Sequence, residues 1–206
     1  MSSLSKFDLE QQDYYKYIIG VDEVGRGCLA GPLVICAIIM KYDNIIDEIN
    51  DSKQLSGKKR ELLYDEILEN AFAYEIIEID TKTVDELNIY QATKYAMELA
   101  ISKLPYEEAT ILIDAMPTKY DKAHSIVKGD AKSYAIACAS IIAKVYRDRL
   151  MIDLALEYPE YDFENNKGYG TKKHIEALEK YGYIDGLHRY TFEPIKSMVN
   201  KQLSLF

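Results

Sequence analysis

YIIGVDEVGRGCLAGPLVICAIIM, residues 17–40, decides the reading of this chain. It opens on an apolar run, Tyr17 to Val21, and closes on a second, Leu33 to Met40. Two short β-branched runs joined by a Gly-rich connection read as strand, turn and strand. Unbroken apolarity in both runs predicts strands buried on both faces. Asp22 and Glu23 sit at the end of the first run. A carboxylate buried there must protonate, find a partner or hold a metal, because a bare buried charge is too costly. Gly25, Gly27 and Gly31 follow, with Arg26 among them. Glycine permits positive φ and lets a ligand approach the main chain. A plain hairpin with a solvated acidic tip competes with this reading. The Asp-Glu pair together with Gly-Arg-Gly is the more specific signal.

Working outward, the Asp51-Ser52-Lys53 turn leads into a helix from about Ser56 to Asn70, with Ser56 as its N-cap. A third strand is expected over Ala73–Ile79. Thr83-Val84-Asp85-Glu86 reads as a capping box that starts a helix with Ile89, Ala92, Ala96 and Leu99 on one face. Ile111-Leu112-Ile113 forms a short strand delivering Asp114, and a fifth strand is expected near 124–128. Residues 131–158 contain no Gly or Pro, so one long helix runs there until Pro159. A loop over 161–170, a helix from Thr171 to Tyr181 and a last helix from Pro194 complete the chain. The pattern is α/β: a mixed five-stranded sheet flanked by helices, with a helical C-terminal part. Residues 1–16 form a loosely attached N-terminal extension, 17–193 the main domain, and 194–206 a C-terminal helix and tail.

Composition narrows the class. At 206 residues one domain is the default. No apolar run has the length of a membrane span, and the polar N-terminus lacks a signal-peptide core. Cys28, Cys36 and Cys138 are odd in number and form no C-x-x-C motif, which suits reduced thiols and a cytoplasmic location. The net charge of -9 argues against nucleic acid on its own. The charge is segregated, however. Acids crowd residues 43–108, whereas Lys119, Lys122, Lys128, Lys132, Lys144, Arg147 and Arg149 dominate the next stretch. A basic face and an ordinary mixed surface both fit. Lys144, Arg147 and Arg149, within about one helical turn of each other, line a nucleic-acid side or are simply solvated.

Acids recur at strand ends and turns: Asp22, Glu23, Asp114 and Asp130. If those strands are neighbours, the carboxylates converge at one sheet edge. Hard oxygen ligands without His or Cys suit Mg2+ or Mn2+ rather than zinc. Two such ions activate a water and stabilise the leaving oxygen of a phosphoryl displacement. Taken singly, Asp114 and Asp130 read more often as turn residues, since Asp favours turns.

These residues resemble a known family. GVDEVGRG at 20–27, AGPL at 30–33, DSKQL at 51–55, LIDA at 112–115, KGD at 128–130, ASIIAKVYRDR at 139–149 and NKGYGTKKHIEAL at 166–178 are similar to ribonuclease HII, the bacterial type 2 ribonuclease H. His188-Arg189 followed by Phe192 fits the same pattern. The resemblance spans about Tyr17 to Pro194. It implies a ribonuclease H-like fold and metal-dependent hydrolysis of RNA within RNA–DNA hybrids and at single ribonucleotides in duplex DNA. By motif, Asp22, Glu23, Asp114 and Asp130 are the catalytic and metal-binding acids. Gly25, Arg26 and Gly27 match the loop sensing the 2′-hydroxyl, Tyr169 the tyrosine against that sugar, and Lys53 a phosphate contact. Cys28 stands where the family more often has proline, which would loosen the loop. Thr191 stands where serine is common.

Ribonuclease HIII is the closest rival; Arg26 and the short N-terminus count against it. A catalytically inactive nucleic-acid-binding module is a rival of another class, and the presence of all four acids counts against that. A monomer is expected. Gln202-Leu203-Ser204-Leu205-Phe206 resembles the peptide by which bacterial repair proteins hold the sliding clamp. Leu203, Leu205 and Phe206 either fold back onto the chain's own core or fill a partner's pocket, with Gln202 fixing the orientation.

Overall fold

The computed structural model describes residues 2–12 and 15–203. In chain order the elements are α1 (Ser3–Gln11), β1 (Tyr17–Val24), β2 (Leu33–Met40), α2 (Gly57–Asn70), β3 (Ala71–Ile79), α3 (Thr81–Leu87), α4 (Ile89–Ser102), β4 (Ala109–Asp114), β5 (Ala123–Ile126), α5 (Tyr134–Glu157), α6 (Phe163–Asn166), α7 (Lys172–Tyr181) and α8 (Ile195–Leu203). The five strands form one sheet in the order β3-β2-β1-β4-β5. β1 runs antiparallel to β2 and parallel to β4, which is parallel to β5. This is the mixed α/β sheet expected from the hydrophobic pattern.

The chain divides into two compact units. The first comprises residues 1–24, 34–77 and 93–145 and carries most of the sheet. All eight residues of β2 are buried, as are Ile18 to Asp22 of β1. Gly20 has a specific reason to lack a side chain: a β-carbon there would lie 2.1 Å from the Ala135 carbonyl carbon at the start of α5. The strand and the helix can therefore approach only through glycine.

The sequence shows no tie for the N-terminal extension, and the structure supplies one. Asp8 of α1 is fully buried, and its Oδ2 accepts the Ala135 N–H at 2.8 Å and the Tyr42 hydroxyl at 2.6 Å. It satisfies one of the unpaired N–H groups at the start of α5 and places negative charge at the positive end of that helix. Burial nonetheless raises the pKa of Asp8.

The second unit comprises residues 25–33, 78–92 and 146–206. Its core gathers Leu29, Ala30, Met151, Tyr161, Phe163, Ala177, Leu178 and Ile195.

Two local expectations are corrected. Thr83 does not cap a helix: Asp80 does, with its Oδ1 accepting the Thr83 N–H at 2.7 Å. The helical stretch then breaks at Asn88, in positive φ, whose side chain accepts the Tyr90 and Gln91 N–H groups and starts α4 afresh. Asn favours such a position because its short amide bonds locally. The buried face of α4 is Ala92, Thr93, Ala96, Met97, Ala100 and Ile101, with Ile89 and Leu99 only half-buried.

Candidate active site

The carboxylates come together in the first unit. The parallel pairing of β1 with β4 sets Val21 beside Ile113. Asp22, Glu23 and Asp114 therefore follow at the same end of two adjacent strands. Ala115, with φ at 48°, turns the chain out of β4. The Gly129–Ala131 turn then brings the Gly129 N–H to Asp114 Oδ1 at 2.7 Å and carries Asp130 beside it.

Asp22 is 5 % and Asp130 3 % exposed. Asp22 Oδ1 accepts the N–H of Glu23 at 2.8 Å. Ser140 of α5 also donates to Asp22. The Ser140 hydroxyl stands 2.9 Å from that of Ser52. With its own proton given to Asp22, Ser140 must accept from Ser52. Burial, then the charges of Glu23 and Asp114, push the Asp22 carboxyl well above the usual carboxylate range.

Lys53 stands 2.7 Å from Asp130, and that contact raises its own pKa. Its side chain is 78 % exposed, so the ammonium both neutralises a buried carboxylate and faces solvent. The loop beneath it is held by Arg60 of α2, which donates to the carbonyls of Ser52 and Leu55.

The donor set is all oxygen, and its members repel one another. That chemistry fits a hard divalent cation. Among the described residues no three His, Cys, Asp or Glu side chains are arranged as a ready metal-binding group. Magnesium does not require such a cage, since it keeps several waters and binds through one or two carboxylates plus substrate phosphate.

The second unit holds the Gly-Arg-Gly segment and Tyr169. The strap from Gly25 to Leu33 is tied along its length. Leu29 N–H donates to the Gly168 carbonyl at 2.8 Å, Gly31 N–H to Leu187, and Arg189 N–H to Leu29. Two fully buried arginines hold it as well. Arg147 donates to the carbonyls of Pro32, Ala30 and Lys167 at 2.8, 3.0 and 2.7 Å. Arg189 donates to those of Arg26 and Gly31, each at 3.0 Å, and burial lowers its pKa to about 10. Gly25 adopts φ 93°, and a β-carbon there would lie 2.4 Å from Arg147 Nε. In a trans peptide the N–H points opposite to the C=O. With the Arg26 carbonyl fixed on Arg189, the Gly27 N–H is aimed away from that guanidinium. Gly27 is exposed, and the Tyr169 ring lies 3.9 Å from the place a Gly27 β-carbon would take.

Two sequence expectations change here. Arg147 is neither a nucleic-acid contact nor solvated; it is a buried clamp. A signal for this exists, because it lies four residues from Ala143 and four from Met151 on the buried stripe of α5. Arg149 is exposed and Lys144 half-buried. Cys28 does not loosen the strap: it is fully buried, its N–H donates to the Gly25 carbonyl, and its thiol donates to the Lys167 carbonyl across 3.6 Å. Of the C-terminal residues Gln202, Leu203, Leu205 and Phe206, the side chains lie outside the described residues.

The sequence model of the family described as Ribonuclease HII matches residues 19–195, which includes all four acids, the strap and Tyr169. This chain belongs to the ribonuclease HII family. It is accordingly a nuclease of the ribonuclease H class. The chain is 54 % identical over 189 residues to the ribonuclease HII of Bacillus cytotoxicus, covering 91 % of this chain and 72 % of that protein. The fold is similar to the crystal structure of ribonuclease H2 from Pyrococcus horikoshii, with a TM-score of 0.77 and 28 % identity over 90 % of this chain and 98 % of that one. It is also similar to ribonuclease HII in the PCNA complex from Archaeoglobus fulgidus, with a TM-score of 0.73 and 25 % identity over 86 % and 95 % of the two chains. Among the described residues no helix is long and apolar enough to cross a membrane.

Proposed function

We propose that this protein hydrolyses the RNA strand of RNA–DNA hybrids and cuts on the 5′ side of a single ribonucleotide embedded in duplex DNA. The observation that carries this reading is the meeting of Asp22, Glu23, Asp114 and the turn bearing Asp130 in one unit, with Lys53 on Asp130. Asp22, Glu23, Asp114 and Asp130 would hold Mg2+ or Mn2+. Bound there, the metal lowers the pKa of water and stabilises charge on the departing oxygen. A water oxygen bonds to the scissile phosphorus, the bond from phosphorus to the 3′ oxygen breaks, and the water's proton ends on that oxygen. The products are a 3′-hydroxyl and a 5′-phosphate.

The chain's own groups divide the work. Ser140 and the Glu23 N–H fix the Asp22 carboxylate by donating to it. Lys53, exposed and cationic, binds a substrate phosphate. The Gly25–Gly27 main chain and the Tyr169 ring read the ribose, because only the 2′-hydroxyl distinguishes RNA from DNA at one nucleotide. The Archaeoglobus relative in its complex with PCNA supports a sliding clamp as partner. By their residue types, Gln202, Leu203, Leu205 and Phe206 would hold it. The test is incubation of the protein with a DNA duplex carrying one ribonucleotide, with and without Mg2+. Cleavage at that position only when metal is present is expected, and an uncut duplex under both conditions rejects the reading.

A further inference from the structure

Apart from the acids, the second unit holds a pair of buried histidines in direct contact. His174 of α7 and His188 are 0 % and 1 % exposed, and their Nε2 atoms stand 3.1 Å apart. They are packed by the rings of Tyr161 and Phe163. The hydrogen bonds around the pair settle both tautomers. The Ile184 N–H donates to His188 Nδ1 at 2.9 Å, so that nitrogen carries a lone pair and His188 Nε2 carries the proton. His188 therefore donates to His174 Nε2. That leaves the second proton of His174 on Nδ1, which donates to the Tyr169 carbonyl at 2.9 Å. The relay runs one way: Ile184 N–H, His188, His174, Tyr169.

Both rings must be neutral for this order, and burial lowers the pKa of each, that of His188 to about 4. Two imidazoliums, or one with its proton turned inward, would set N–H against N–H across 3.1 Å. The far end of the relay is the peptide that follows the Tyr169 ring. The rest of that loop is held from the other side. Tyr169 N–H donates to the Asn166 carbonyl, Gly168 N–H to Asn166 Oδ1, and Thr171 N–H shares the Tyr169 carbonyl with His174. Cys28 bonds the Tyr169 hydroxyl. Of the Tyr169 carbonyl's two donors, only His174 comes from a side chain anchored outside the loop.

We propose that His188 and His174 are positioning residues that fix the main chain of Tyr169 and so set the enzyme's preference for a single embedded ribonucleotide. The link to substrate choice rests on the reading of Tyr169 given above; the positioning does not. A lone ribonucleotide must be found in one register, so a displaced Tyr169 costs it more than a hybrid, which offers many registers.

The test compares His174→Ala, His174→Phe and His174→Asn. Asn can place an amide N–H where Nδ1 stood, whereas Phe keeps the aromatic packing and donates nothing. Amide hydrogen exchange at Gly168, Tyr169 and Gly170 reads the positioning directly. The ratio of kcat/KM on a single-ribonucleotide duplex to that on a long hybrid reads substrate choice. Faster exchange and a roughly tenfold lower ratio are expected for Ala and Phe, with both largely recovered in Asn. Wild-type exchange and ratio in His174→Phe would overturn the relay, since packing alone would then suffice. Tyr169→Ala serves as the reference: combined with His174→Phe it should show no further fall in the ratio. An unchanged ratio in Tyr169→Ala alone overturns the reading of Tyr169 and the link to substrate choice, while the exchange result decides the relay separately.

Discussion

The guanidinium of Arg147 donates to the carbonyl of Lys167, twenty residues further along the chain, at 2.7 Å. The same side chain holds Pro32 and Ala30, so one cation joins the strap after Gly25 to the loop that bears Tyr169. All three acceptors are neutral carbonyls. A buried charge held in this way loses more on truncation than its bonds contribute, because the carbonyls stay buried without donors.

Arg147→Met should therefore destabilise the protein by about 3–5 kcal/mol. Arg147→Lys should rescue little of this, since an ammonium cannot reproduce the planar fork that meets three separate oxygens. Chemical denaturation of both variants checks it. A lysine variant as stable as the parent would mean that charge, rather than the fork, does the holding.

The acids make the opposite prediction for stability. Asp22 is buried against Glu23 and Asp114, and its carboxyl is held well above the usual range by burial and by their charge. Asp22→Asn removes one member of a mutually repelling group and keeps an oxygen for the Glu23 N–H. In metal-free buffer it should melt no lower than the parent. Its nuclease activity, and that of Asp114→Asn, should fall nearly to background, because a neutral amide holds a hard cation weakly. High activity in both variants would remove these residues from the reaction.

How much of this the sequence discloses depends on the range of the interaction. Asp22 and Glu23 are legible because they interrupt an apolar strand, and burial makes a charge there conspicuous. Asp114 is legible for the same reason at the end of β4. That they meet is not legible from composition; it needs the parallel pairing of β1 with β4. Arg189, His174 and His188 stay hidden for a different reason, whereas the buried stripe of α5 marks Arg147. Their partners are main-chain groups and one another, at separations such as 163 residues for Arg189 and Arg26, and no residue pattern marks a main-chain group as a partner. The Thr83 expectation failed locally: Asp80 lies three residues before Thr83 and competes for the same N–H.

The histidines give the second unit a pH dependence of known sign. His188 is held at about 4 in the folded protein, against 6.5 for the free side chain. Between those values the unfolded chain binds a proton that the folded one does not. Stability is therefore full above about 6.5 and falls as pH drops through the window, by on the order of 3 kcal/mol for His188. His174 shifts the same way and adds to the effect. Lys82, Asp85, Glu86 and Asp185 line the cavity beside His188. His188→Phe should flatten the pH dependence of the denaturation midpoint between 6.5 and 4. An unaltered slope in that variant would place the acid sensitivity elsewhere.

Gln202, Leu203, Ser204, Leu205 and Phe206 are the last five residues of the sequence. The backbone of α8 runs to Leu203, directly into this stretch. Three large apolar side chains within four residues carry transfer energy of about 1.5–3 kcal/mol each when fully buried. Gln202 adds a hydrogen-bonding amide at the start of the segment. A short peptide with apolar anchors and one polar orienting group suits a hydrophobic groove on a partner. A sliding clamp would also carry the enzyme along newly made DNA, where ribonucleotides are misincorporated. Deleting residues 202–206 should abolish micromolar binding of the clamp, measured by calorimetry, while cleavage of a short free duplex stays near the parent rate. The alternative is that the same side chains complete the chain's own core, and it makes a different prediction. In that case the deletion lowers the melting temperature and activity on free duplex falls with it. Leu205→Ser with Phe206→Ser separates the two without shortening the chain: loss of clamp binding at an unchanged melting temperature supports the anchor, and a lowered melting temperature supports the core.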